Sequence, residues 1–171
     1  MPLIGTKKNN VWERQQRSWL IEQKVKLVGE PLFTNDFDTI RYDMLPAYRN
    51  ADKLIKSLHR TFNFSRMMDH QSLTIIDEVV FNEPNLFEVA LTSPGTWNPI
   101  IRNKNGGLFS YAFDFNELKL DTQQLDVLIS SNREFTINPS ETLTNVNYKY
   151  TRVGIRLKEK IKSAQIIVSF R

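Results

Sequence analysis

Residues 50–62 read NADKLIKSLHRTF, and the conformation of this stretch decides the fold class of the chain. Ala51, Leu54, Ile55, Leu58 and Phe62 stand at i, i+3, i+4, i+7 and i+11, the spacing that lines apolar side chains along one face of a helix. Asn50 is placed to cap the first turn, its side-chain oxygen accepting from backbone N–H groups that the helix leaves free. Lys53, Lys56 and Arg60 take the outer face, in the later turns where positive charge suits the helix dipole. The pattern predicts an amphipathic helix resting on apolar surface built by the rest of the chain.

Working upstream, the segment from Asn10 to Val28 has the same character. Trp12 and Trp19 are seven residues apart, and Ile21, Val25 and Val28 continue at spacings of four and three. Asn10 is a candidate N-cap, Gly29 a stop, and Pro31 lies just beyond. Arg14, Arg17, Lys24 and Lys26 would form a basic face. Two tryptophans on one helix are costly to leave in water, so Trp12 and Trp19 are expected either to pack on the sheet or to contact a neighbouring subunit. Residues 30–46, with Pro31, Asn35, Asp36, Asp38 and Pro46, read as irregular connection.

Downstream of Leu73 the period changes to two. Leu73–Phe81 and Leu86–Leu91 read as strands, followed by the alternation of Phe109, Tyr111, Phe113 and Phe115 after the turn Asn105-Gly106-Gly107. Leu125–Ile129 and Arg133–Ile137 read as a strand pair around Ser130-Ser131-Asn132. Val153, Ile155 and Leu157, then Ile166, Val168 and Phe170, complete the series. Short strands joined by turns, with no long helix between them, favour antiparallel pairing. The expected architecture is α+β: N-terminal helices packed on an antiparallel β-sheet, sandwich or partial barrel. It is expected to form one domain over 1–171, with a helical basic arm (1–30), a loop and amphipathic helix (31–72) and an antiparallel β region (73–171). The apolar run Ala164–Phe170 must be a protected inner strand or one that pairs with another chain, which makes Ile166, Val168 and Phe170 candidates for inter-subunit contact beside Trp12 and Trp19.

Composition narrows the chemistry. A chain of 171 residues with 40% hydrophobic and 25% charged residues is globular rather than disordered. It has no cysteine, which excludes a disulfide scaffold, a cysteine nucleophile and a thiolate metal site. The opening residues, with only a short apolar patch before Lys7 and Lys8, do not read as a secretory signal, and no apolar run is long enough to span a membrane. The expected location is a virion or a host cytoplasm. Residues 1–30 carry six basic and three acidic side chains, 31–148 ten and fifteen, and 149–171 seven and one. Basic ends around an acidic centre suit contact between copies, or with an acidic partner at one end.

Catalytic motifs are missing. His59 and His70 are the two histidines, too few for a three-histidine zinc site, and Asp69 beside His70 does not have metal-ligand spacing. There is no Gly-x-Ser-x-Gly, no Walker loop and no dinucleotide fingerprint. The most enzyme-like fragment is Asp114-Phe-Asn-Glu117-Leu-Lys119, whose Glu-x-Lys could serve a magnesium nuclease if Asp77 or Glu88 supplied a further acid. No cofactor is implied. Arg152, Arg156, Lys158, Lys160 and Lys162, at mostly even spacing behind Tyr148 and Tyr150, are candidate phosphate contacts on one strand face. The opposing reading is that Val153, Ile155, Leu157 and Ile161 fill the core and these cations are solvated. The sequence thus predicts a non-enzymatic subunit of a multi-copy assembly, of the virion or phage capsid, neck, tail or baseplate kind, that self-associates and contacts other subunits. A nucleic-acid-binding module is the alternative and a nuclease the third reading.

Overall fold

The computed structural model describes the backbone of residues 2–4, 7–8, 11–12, 25–48, 53–67, 72–93, 96–103, 106–113, 123–145 and 148–170. Side-chain surroundings are described for 25–48, 53–67, 72–92, 127–137 and 152–170. The elements are β1 (Pro2–Ile4), β2 (Lys7–Lys8), β3 (Val11–Trp12), β4 (Lys26–Leu27), β5 (Leu32–Phe33), β6 (Phe37–Asp43), α1 (Leu45–Tyr48), β7 (Ile55–Ser65) and β8 (Ser72–Asn85). They continue with β9 (Phe87–Ser93), β10 (Thr96–Asn103), β11 (Gly106–Phe113), β12 (Gln123–Ser131), β13 (Phe135–Asn145), β14 (Tyr148–Leu157) and β15 (Ile161–Phe170). The predicted α+β class is therefore corrected: the described chain is nearly all strand, and its single helix has four residues.

Residues 55–65 are the centre of that correction. They form strand β7, antiparallel to β6 on one side and β8 on the other. From Leu58 onward the strand alternates Leu58, Arg60, Phe62 and Phe64 toward one face, with His59, Thr61, Asn63 and Ser65 toward the other. Spacings of four satisfy a period of two as well as one of 3.6, so Leu58 and Phe62 fit both readings. The odd step from Ile55 to Leu58 is absorbed by a register shift between Ile55 and Ser57, which lets both residues reach the core. The predicted helix over 10–28 fails at both described ends, where Val11–Trp12 pairs with Lys7–Lys8 and Lys26–Leu27 pairs with Tyr42–Asp43. Its middle, including Trp19, lies outside the described residues.

Among the described residues the strands form two antiparallel sheets and a separate two-stranded ribbon, β2 with β3. The large sheet runs β10-β11-β12-β15-β8-β7-β6, with β4 and β5 both added to β6; the small sheet runs β1-β9-β14-β13. The antiparallel part of the expectation holds, in the form of a two-sheet sandwich. One apolar core joins the sheets. The large sheet contributes Leu58, Val79, Val127, Ile129, Ala164, Ile166 and Val168, and the small sheet Phe87, Val89, Phe135, Ile155 and Leu157. Alternation places these residues inward on the strands that carry them.

From β4 onward the described strands switch sheets at four connections: β8 to β9 at Leu86, β9 to β10 between Ser93 and Thr96, β12 to β13 at 132–134, and β14 to β15 at 158–160. The stretch read as a strand pair around Ser130-Ser131-Asn132 is one of these crossings. Its two strands enter different sheets, β12 pairing with β11 and β15, and β13 with β14.

Candidate functional site

The inner face of the large sheet is not wholly covered by the small one. Cross-strand register sets Phe33, Asp38, Phe64 and Leu73 in one row and Ile40, Phe62 and Ile75 in the next. On the β12–β15 side this face is closed, with Val127, Ile129 and Val168 buried. On the β5–β8 side it opens: Phe64 is 42% exposed, Phe33 62%, and Ile40, Tyr42, Phe62, Leu73 and Ile75 are half-buried. Tyr42 meets Phe62 edge to face at 6.2 Å, a favoured aromatic geometry that fixes both rings in the open corner. Phe37 at the β5–β6 turn and Met67 beyond β7 add exposed apolar surface at the same end. The result is an aromatic shelf, an extension of the core face without its cover.

Two ion pairs bound the shelf. At its outer margin the Arg66 guanidinium donates to both Asp38 carboxylate oxygens, at 2.7 and 2.6 Å, and lies 5.7 Å above the Phe64 ring. At its inner margin Arg60 donates through Nε and Nη2 to the two oxygens of Asp77, at 2.7 and 2.8 Å. Asp77 is 1% exposed, and its cross-strand partner on β7 is Arg60 itself. Burial alone would favour loss of the Arg60 proton; the hydrogen bonds and charge of Asp77 outweigh it, and the guanidinium is held more firmly charged than usual.

Tyr48, the buried end of α1, faces this pair. Burial raises its pKa well above the ordinary 10.0; Arg60 opposes the rise and Asp77 adds to it. The unfolded chain would release this proton near 10 while the folded chain retains it. The stability Tyr48 contributes is therefore complete below pH 10 and is lost as pH rises toward the folded value. Against Tyr48→Phe, the wild-type protein should lose about 1.4 kcal/mol for each pH unit above 10. Urea midpoints of the two proteins at pH 9, 10 and 11 measure this directly, and parallel curves would remove Tyr48 from the account.

A second buried pair lies on the outer face of the small sheet. Glu88 of β9 is 1% exposed and accepts from Arg152 Nη2 of β14, whose side chain is 11% exposed. Gly154, two residues along β14, leaves room for the carboxylate: a Cβ there would sit 2.5 Å from Glu88 Oε1 and 2.8 Å from Cδ. Asp77 and Glu88, the acids considered as nuclease companions, thus belong to different sheets, each engaged by an arginine. Asp114, Glu117, Lys119 and His70 lie outside the described residues, while His59 is on the outer face of β7. Among the described residues no group of three or more His, Asp or Glu side chains could hold a metal ion.

The structure also divides the five candidate phosphate contacts. Arg152 and Arg156 belong to β14, with Arg152 tied to Glu88, whereas Lys158, Lys160 and Lys162 are exposed at the β14–β15 turn and the start of β15. Val153, Ile155, Leu157 and Ile161 fill the core, as the opposing reading of this segment holds. Ile166 and Val168 are buried in this chain's own core, on a strand paired on both sides, and Phe170 is half-buried. Trp12 is in the β2–β3 ribbon. Of the shelf aromatics the sequence singled out Phe62, but as one face of a helix, and Phe62-Asn63-Phe64 alternates visibly once β7 is known to be a strand.

Sheet order, sandwich packing and an open aromatic corner define a two-sheet antiparallel β-sandwich protein. No protein-family model matches the chain, and no curated protein matches it. Solved structures do. A mutant of heparan sulfate lyase HepC from Pedobacter heparinus is similar with a TM-score of 0.54 and 16% identity, over 86% of this chain and 21% of that one. A heparinase III is similar with a TM-score of 0.59 and 13% identity, over the same shares. At these identities the likeness is one of fold. The chain spans about a fifth of the length of those enzymes. Among the described residues no helix is long and apolar enough to cross a membrane.

Proposed function

We propose that this chain is a non-enzymatic β-sandwich module that works by association, seating a companion folded domain on the open aromatic shelf. The observation that carries this is Phe33, 62% exposed, and Phe64, 42% exposed, on a sheet face used elsewhere for core. An apolar face rimmed by fixed charges, here Arg66–Asp38, suits a docking surface with an apolar centre and a polar edge. This keeps the structural-subunit expectation in its general form. The setting favoured by the fold likeness is a polysaccharide-processing assembly: in a heparan sulfate lyase and a heparinase III this fold accounts for about a fifth of a longer chain. The companion would then be a domain of that kind, holding the reacting groups while this module supplies a rigid face.

A virion or phage subunit is the second reading, favoured by the margins of the large sheet at β10 and at β4 and β5, where strands of another copy could add. Light scattering over a concentration series, with a dye that reports exposed apolar surface, separates the two. The companion-domain reading expects a monomer that binds dye, with the signal at least halved in Phe33→Ser/Phe64→Ser at unchanged far-ultraviolet circular dichroism. A defined ring or shell that survives this double substitution would favour the virion subunit. A monomer with dye binding indifferent to the substitutions would overturn the docking role of the shelf.

A further inference from the structure

The crossings β12 to β13 and β14 to β15 run side by side at one end of the sandwich, and between them lies a cleft of about 470 Å³. Such gaps arise where the chain leaves one sheet for the other, since neither ladder continues across the turn. The size falls within the span of small-ligand sites, roughly 300–1,000 Å³. Arg133, Lys160 and Lys162 line it, with Asn132, Glu134 and Glu159. None of these belongs to the shelf, and the cleft stands or falls independently of it.

The fixed and free groups can be told apart. Ser131 Oγ accepts from the Arg133 backbone N–H at 3.2 Å and donates to the Gln165 carbonyl at 2.7 Å, while Asn132 Oδ1 accepts from the Gln165 N–H at 3.0 Å. These bonds tie the β12–β13 turn to β15. The Arg133 guanidinium Nε donates to the Ser163 carbonyl at 3.4 Å, so the side chain is oriented by a neutral acceptor rather than a carboxylate. Glu134 receives a bond from Lys158 at 3.2 Å. Among the described residues Lys160 and Lys162 have no ion-pair partner, nor does Glu159. The cleft lining holds three cations and two carboxylates, and one of the carboxylates, Glu134, is paired with a fourth cation, Lys158, just outside it.

We infer that this cleft binds a short acidic oligosaccharide, one bearing carboxylate or sulfate groups beside free hydroxyls. Arg133, Lys160 and Lys162 take the anionic groups; Glu159 accepts from ring hydroxyls, and the Asn132 amide donates to them. A nucleic-acid strand fits less well. Among the described residues no aromatic side chain lines the cleft to stack a base.

The test is calorimetric titration of the whole chain with four probes at low salt: a sulfated uronate-containing tetrasaccharide, its unsulfated counterpart, a neutral glucose tetrasaccharide and a single-stranded oligonucleotide. Binding of the two acidic sugars and not the neutral one is expected, weakened about tenfold in Lys160→Ala/Lys162→Ala and again by raising the salt. Both lysines are exposed, so this variant should keep the wild-type melting temperature. Glu159→Gln separates the ligand classes: it should weaken the sugars, whereas stronger oligonucleotide binding at the cost of neither sugar would move the site to nucleic acid and overturn the proposal. Equal sugar affinity in wild type and the double lysine variant would also overturn it. Phe33→Ser/Phe64→Ser should bind the sugars as the wild type does, so failure of the shelf and failure of the cleft are read separately.

Discussion

Asp77→Ala is expected to cost about 3–5 kcal/mol, a large part of the stability of a domain this size. The carboxylate is 1% exposed and answers two N–H groups of Arg60, which the β7–β8 register holds directly opposite. Removing it leaves a guanidinium committed to the sheet interior with no counter-charge. On the inner face of β7 Arg60 stands between Leu58 and Phe62. Replacing both partners, as Arg60→Met/Asp77→Leu, removes the two desolvation penalties together and should cost far less than the single change, within about 1–2 kcal/mol of wild type. Urea unfolding of wild type, Arg60→Met, Asp77→Leu and Arg60→Met/Asp77→Leu closes a cycle that gives the coupling energy. A single substitution no worse than the double would show that the pair contributes little and that Arg60 finds another acceptor.

Gly154→Val should be nearly as severe, at about 3 kcal/mol or more. The ideal Cβ would press on the Glu88 carboxylate, and β14 cannot retreat because β9 and β13 pair with it on either side. A displaced Glu88 also abandons Arg152, so the clash and the broken ion pair act together. Glycine is required here for space rather than for an unusual backbone angle. Glu88→Ala in the valine background should therefore restore part of the loss, giving a coupling of more than about 1 kcal/mol between two residues on adjacent strands. Additive effects would mean that the valine finds room without moving the carboxylate.

The same two ion pairs explain what was legible in the sequence. Downstream of Leu73 the alternation of apolar residues predicts strands that the structure contains, because on β14 and β15 the inner positions are uniformly apolar: Val153, Ile155 and Leu157, then Ile166 and Val168. In β7 the second inner position is Arg60. A cation among buried residues breaks the period of two, and it reads as outer surface until Asp77 is known to stand beside it. With Arg60 placed outside, Leu54, Ile55, Leu58 and Phe62 fit a helix, and the bulge at Lys56 hides the remaining discrepancy. Local pattern therefore favoured a helix, and pairing with strands on both sides prevailed over it. The shelf was hidden for the same reason, since Tyr42, Phe62 and Phe64 become neighbours only through the β6–β7 register. The cleft was half visible: Lys160 and Lys162 are conspicuous, but Arg133 joins them only because two crossings share one end of the sandwich.

The position of β15 has a consequence for how the molecule is made. It lies between β8 and β12, strands that precede it in the chain and have no ladder between them. During synthesis the two halves of the large sheet therefore emerge with bare facing edges, and among the described strands none bridges them within that sheet until residues 161–170 clear the ribosome. Such distant pairings place the rate-limiting closure late and make it slow, in the range of milliseconds to seconds typical of all-β topologies. A nascent chain paused before β15 would be the species that a chaperone holds, or that another nascent copy captures along those same edges.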